Sequence, residues 1–115
     1  MAVEVAYKVL TAADVDAMDA GVFKGAPIDI ADGYIHLSTA EQLTETVLRH
    51  FAGQTNLTLA AVDLAALGSN VRWEVSRNGQ RFPHVYGQLT PASIIARGPL
   101  KWCADGVVLL PSVLT

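Results

Sequence analysis

The stretch Gly33-Tyr34-Ile35-His36-Leu37-Ser38-Thr39-Ala40-Glu41-Gln42 constrains the fold more than any other part of the chain. Tyr34 to Leu37 have strand character and run straight into a helix start, where Ser38 and Glu41 stand at capping-box spacing. A strand that ends on a helix N-terminus sets its side chains beside unpaired backbone N–H groups with a partial positive charge, a place that favours anions. Strand alternation puts Ile35 and Leu37 on one face and Tyr34, His36 and Ser38 on the other. The apolar pair belongs to a core, the polar trio to a cleft or to solvent. His36 is there either an acid, base or donor of a site, or a ring that satisfies a neighbouring carbonyl.

Around this stretch the chain reads as one small α+β domain spanning residues 1–115, with two helices early and a mostly antiparallel sheet. Val3 to Leu10 alternates and is rich in β-branched residues, so it is a first strand. Thr11 with Asp14 caps a short helix that ends before Gly21. Gly21 to Gly33 carries Gly25, Pro27, Asp32 and Gly33 and is expected to be a loop, with Phe23 and Asp29 bordering a ligand. Thr39 to Ala52 has Ala40, Leu43, Val47 and Phe51 at helical spacing, stopped by Gly53. Arg49 and His50 suit its last turn, so His50 is read as a surface residue. Leu57 to Val62 is apolar nearly throughout, which predicts a central strand, and a short helical piece follows over Asp63 to Leu67. Strands are also expected at Ser93 to Ala96 and Val107 to Leu110, while Trp73 and Trp102 are assigned to the core.

Val71 to Arg77 alternates and meets Asn78-Gly79, a two-residue hairpin signal. A regular ladder would set Val75 opposite Phe82 and Trp73 opposite His84, leaving Glu74 on the side of Arg72 and away from His84. A bulge at Pro83 would bring His84 to the face of Glu74. Both registers fit the sequence.

Charge limits the function classes. The formal net charge is −3, against general nucleic-acid binding, which needs a dense basic surface. The charge is uneven, −6 over residues 1–63 and +3 over 64–115, and the basic part holds Arg72, Arg77 and Arg81, a patch suited to phosphates of a small ligand or to a solvated strand face. One cysteine, Cys103, excludes an internal disulfide, and His36, His50 and His84 lack zinc spacing, so no metal is predicted. No apolar run has membrane-spanning length and no leader pattern opens the chain, so the expected location is cytoplasmic.

Tyr7-Lys8, Asp32 to Gln42, Phe51-Ala52-Gly53, Arg72-Trp73-Glu74 and Arg81-Phe82-Pro83-His84-Val85-Tyr86-Gly87 together resemble domain-of-unknown-function family 952, over about residues 7–100. His36-Leu37-Ser38, Leu57 to Asp63, Asn78-Gly79 and Pro91 to Ile95 more weakly resemble the ADP-ribosyltransferase fold, including RNA 2′-phosphotransferases. That second resemblance implies a split sheet and NAD as substrate. It implies His36 and Ser38 as polarising or binding groups and Glu74 as the carboxylate that steadies a ribosyl cation. Lys8 takes the place of a first-strand His or Arg, and the phosphotransferase arginines are not reproduced.

The resulting expectation is catalytic work by His36, Glu74 and His84, with Lys8, Tyr34, Ser38, Arg72 and Tyr86 binding a small-molecule substrate. The activity implied is an NAD- or ADP-ribose-utilising transferase or hydrolase. The alternative is a non-catalytic module for a small anionic or nucleotide-like metabolite.

Overall fold

The computed structural model describes residues 4–110, so the Val3 start expected for the first strand lies outside the described residues. The elements are β1 (Val5–Leu10), α1 (Ala12–Asp19), α2 (Pro27–Asp32), β2 (Ile35–His36), α3 (Ala40–His50), β3 (Thr58–Asp63), α4 (Leu64–Leu67), β4 (Val71–Val75), β5 (Arg81–Val85), β6 (Ile94–Pro99), β7 (Lys101–Trp102) and β8 (Val108–Leu109). The architecture is α+β with antiparallel pairing throughout: one sheet in the order β1-β3-β6, a second in the order β2-β5-β4, and a small β7-β8 hairpin.

The alternation of β1 and β3 builds two hydrophobic clusters. Ala6, Leu10, Ala60 and Val62 join Ile35 and Val85 of the second sheet and Leu37 just beyond β2, while Tyr7, Val9, Leu59 and Ala61 pack with Leu43 and Val47 of α3. Strand β3 is central, as its continuous apolar run predicts, with Leu59 to Val62 all buried. The sheets are joined where Ser38 N–H donates to the Tyr7 carbonyl at 2.9 Å and Tyr7 N–H to the Ser38 carbonyl at 2.8 Å.

That bridge changes the start of α3. Held extended against β1, Ser38 cannot cap, and Thr39 does so instead. Its Oγ1 accepts from Gln42 N–H at 3.3 Å, and Gln42 Oε1 accepts from Thr39 N–H at 3.0 Å. The capping box is thus Thr39 with Gln42, one residue beyond Ser38 with Glu41. The box at Thr11 and Asp14 forms as expected.

The expected 21–33 loop contains a helix. Pro27 opens α2 at its first position, Asp29 Oδ2 accepts from Ala26 N–H at 2.8 Å, and Gly33 closes it at φ +88°. Six residues are too few to show helical periodicity, so only these end signals marked it.

The hairpin loop holds three residues, Arg77 to Gly79, because Asn78 and Gly79 both take positive φ and Ser76 N–H pairs with the Gln80 carbonyl at 2.8 Å. The ladder is regular, with Arg72 opposite His84, Trp73 opposite Pro83 and Glu74 opposite Phe82. Neither the two-residue register nor a bulge at Pro83 occurs. The added loop residue shifts the pairing by one and places Arg72, Glu74, Phe82 and His84 on one face. Trp73 and Trp102, expected in the core, are 39% and 45% exposed.

Candidate functional site

Asp29 is the hub of the site. It is 2% exposed, and both its oxygens are engaged. Oδ2 meets Lys8 Nζ at 2.8 Å and accepts from Ala26 N–H, while Oδ1 accepts from the His36 backbone N–H at 3.1 Å and contacts His36 Nδ1 at 2.6 Å. Burial alone would raise its pKa, but the His36 hydrogen bonds and the Lys8 charge outweigh it and hold the carboxyl at about 2. Lys8, itself buried, is thereby neutralised inside the fold. His36 is held at its other edge too, where Nε2 lies 2.9 Å from Asp32 Oδ2.

Directly opposite His36 in the β2-β5 ladder stands His84. Its Nδ1 is 2.8 Å from Glu74 Oε1, and the Tyr86 hydroxyl donates to the same oxygen at 2.8 Å. These hydrogen bonds lower the Glu74 pKa and raise that of Tyr86. Tyr34 packs on both imidazoles, stacked on His84 with centroids 4.1 Å apart and tilted on His36 at 4.6 Å, and the two imidazoles are 5.5 Å apart. Burial, with Asp32, Glu74 and Asp29 nearby, raises the Tyr34 pKa. Arg72 lies over the Tyr86 ring at 4.6 Å.

A cleft of about 700 Å³ opens beside this cluster, between β1, β2, β5, α3 and the hairpin loop. Lys8, His36, Ser38, Thr46, Arg77 and His84 line it, with Arg49 and His50 at the end of α3. Asp14, bound into the α1 cap, is the one carboxylate among its described lining residues. The Thr46 hydroxyl donates to the Gln42 carbonyl at 3.1 Å, so Ser38 Oγ, 2.9 Å away, is the donor between the two hydroxyls. Arg77 Nη2 donates to Thr46 Oγ1 at 3.3 Å. Its buried Nε lies 3.0 Å from Glu45 Oε2 but off the line of its N–H, a charge contact without a hydrogen bond. Burial and the charges of Arg77, His36 and Arg49 lower the His50 pKa.

Of the residues singled out from the sequence, Lys8, His36, Ser38 and His84 reach the cleft, while Tyr34, Arg72, Glu74 and Tyr86 form the layer behind His84 and His36. Arg72 and Arg81 do not join Arg77 in lining the cleft. Phe23 packs in the core instead of bordering the site. Asp32 and Thr46 join the site without a signal in the sequence, and Asp29 is its hub rather than a residue on its border, with its N3 position behind Pro27 as the available signal. Among the described residues no three His, Cys, Asp or Glu side chains form a metal-ligand cluster, and no helix is long and apolar enough to cross a membrane.

The family model described as protein of unknown function (DUF952) matches residues 9–97. A crystal structure of protein CC0527 from Caulobacter crescentus is 44% identical, with a TM-score of 0.82 over 92% of this chain and 94% of that one. A solution NMR structure of the same protein is 45% identical, with a TM-score of 0.74 over 90% of each chain. None of these descriptions states an activity or a ligand, and none names an ADP-ribosyltransferase. No curated protein matches the chain.

Proposed function

The chain belongs to the family of proteins of unknown function DUF952, and from that premise we propose that its cleft binds a small anionic, nucleotide-like metabolite, with NAD and ADP-ribose as the first candidates. The observation that carries this reading is the lining: Lys8, Arg49 and Arg77 reach the cleft with three histidines, Lys8 paired with the buried Asp29 and the two arginines sharing Glu45, while the one lining carboxylate, Asp14, is bound into the α1 cap. Basic groups converging in a partly desolvated hollow raise the local concentration of anions and bind phosphate through charge-assisted hydrogen bonds. The apolar walls at Leu37, Phe51 and Phe82 suit a base or a ring.

The transferase or hydrolase reading stands second. Its supporting observation is that Glu74 is fixed by His84 and Tyr86 through Oε1 alone, which leaves Oε2 free of a described side-chain partner. A fixed carboxylate of this kind can face a ribosyl cation. Its place behind His84, outside the cleft lining, puts binding ahead of glycosidic cleavage.

An amide NMR titration with NAD, ADP-ribose and nicotinamide tests both. Shifts centred on Lys8, His36 to Ser38, Thr46, Arg77 and His84 are expected, and Arg77→Ala should weaken binding about tenfold through loss of one charge-assisted contact. Absence of shifts with all three at millimolar concentration overturns the anion-site reading. Nicotinamide release that disappears in Glu74→Gln would put the transferase reading first.

A further inference from the structure

The β2-β5 ladder holds an arrangement that simple anion binding does not need. His36 and His84 are register partners on antiparallel strands, and both face the cleft. Each ring has Nδ1 anchored on a carboxylate, His36 on Asp29 and His84 on Glu74, and Tyr34 packs against both. With Nδ1 committed, Nε2 is the remaining nitrogen of each ring. The two differ in a useful way. His84 Nε2 has no described partner, whereas His36 Nε2 meets the carboxylate of Asp32, which is 43% exposed at the end of α2 and can yield its place to an anionic ligand.

We infer that His36 and His84 are a two-histidine acid–base pair that hydrolyses a phosphodiester bond, with a nucleoside cyclic phosphate as the substrate class. This rests on the cleft being an anion site. His84 Nε2 accepts a proton from water as the water oxygen bonds to phosphorus. The P–O bond to the leaving oxygen breaks with its electron pair on that oxygen, which takes the Nε2 proton of His36. One water is consumed, a phosphodiester becomes a phosphomonoester and an alcohol, and a proton returned from His84 to His36 through solvent resets the pair. Asp29 and Glu74 are positioning residues, since they act through the imidazoles. The two ring centroids lie 5.5 Å apart in an edge-to-face arrangement, so both Nε2 edges can address the oxygens of one phosphate.

The test is incubation of the whole chain with adenosine 2′,3′-cyclic phosphate, followed by phosphorus NMR for conversion and by amide NMR for binding. Conversion to the monoester is expected. His84→Gln and His36→Gln should each reduce turnover about 100-fold or more, the range of one general acid or base, while the amide spectrum shows them folded. Glu74→Gln should lower kcat with KM unchanged. Cleft shifts without conversion overturn the inference and keep the anion site. No shifts and no conversion remove both. Conversion that survives in both folded histidine variants assigns the chemistry elsewhere and also overturns it.

Discussion

Asp29 shows how much one buried carboxylate decides. It joins three segments, β1 through Lys8, the α2 start through Ala26 and β2 through His36, and all its bonds favour the charged form. Its folded pKa of about 2 lies below the ordinary carboxylate value of 3.8, so its stabilisation is full above about pH 4 and is lost as pH falls through 2. A depression of this size corresponds to roughly 2 kcal/mol. Asp29→Asn leaves Lys8 buried without a counter-charge and should destabilise the fold by about 3–5 kcal/mol at neutral pH. Thermal melts from pH 6 to pH 2 check this: the gap between wild type and variant should narrow below pH 4. Parallel curves would show that the ion pair contributes nothing to acid stability.

Among the elements, the start of α3 and the β4-β5 hairpin show local signals corrected by one residue. Ser38 and Thr39 are both competent caps by type, and the bridge to Tyr7 decides between them. Thr39→Ala should therefore cost about 1 kcal/mol of stability through the lost cap. Ser38→Ala should leave the helix end intact and remove a hydroxyl contact to Thr46. Urea denaturation of the two variants measures the difference, and a larger loss at Ser38 would reverse the assignment. In the hairpin, Asn78-Gly79 correctly marked a turn, but loop length sets which residues face each other. The third loop residue is why Glu74 and His84 meet without any bulge.

At the scale of the whole molecule, aromatic residues are split between roles that hydrophobicity alone does not separate. Phe23 and Phe82 are buried, but Trp73 lies on edge strand β4 and Trp102 on the terminal hairpin, both well exposed. Tryptophan emission should accordingly be red-shifted and readily quenched by iodide in the native protein, with little further shift on unfolding. Blue-shifted, protected emission would contradict this packing.

The sequence by itself determined the α+β class, the central place of β3 and the strand-to-helix junction at His36, because strand alternation, helix spacing and capping residues act over a few positions. The Thr39 cap, the hairpin register and the Asp29 hub were decided by the tertiary structure. Each of these depends on a partner distant in the chain or on a loop one residue longer than its dipeptide suggests. The cleft itself joins β1, β2, β5 and α3, so its lining exists only once Lys8, His36, Arg77 and His84 are brought together by pairing between strands remote in sequence.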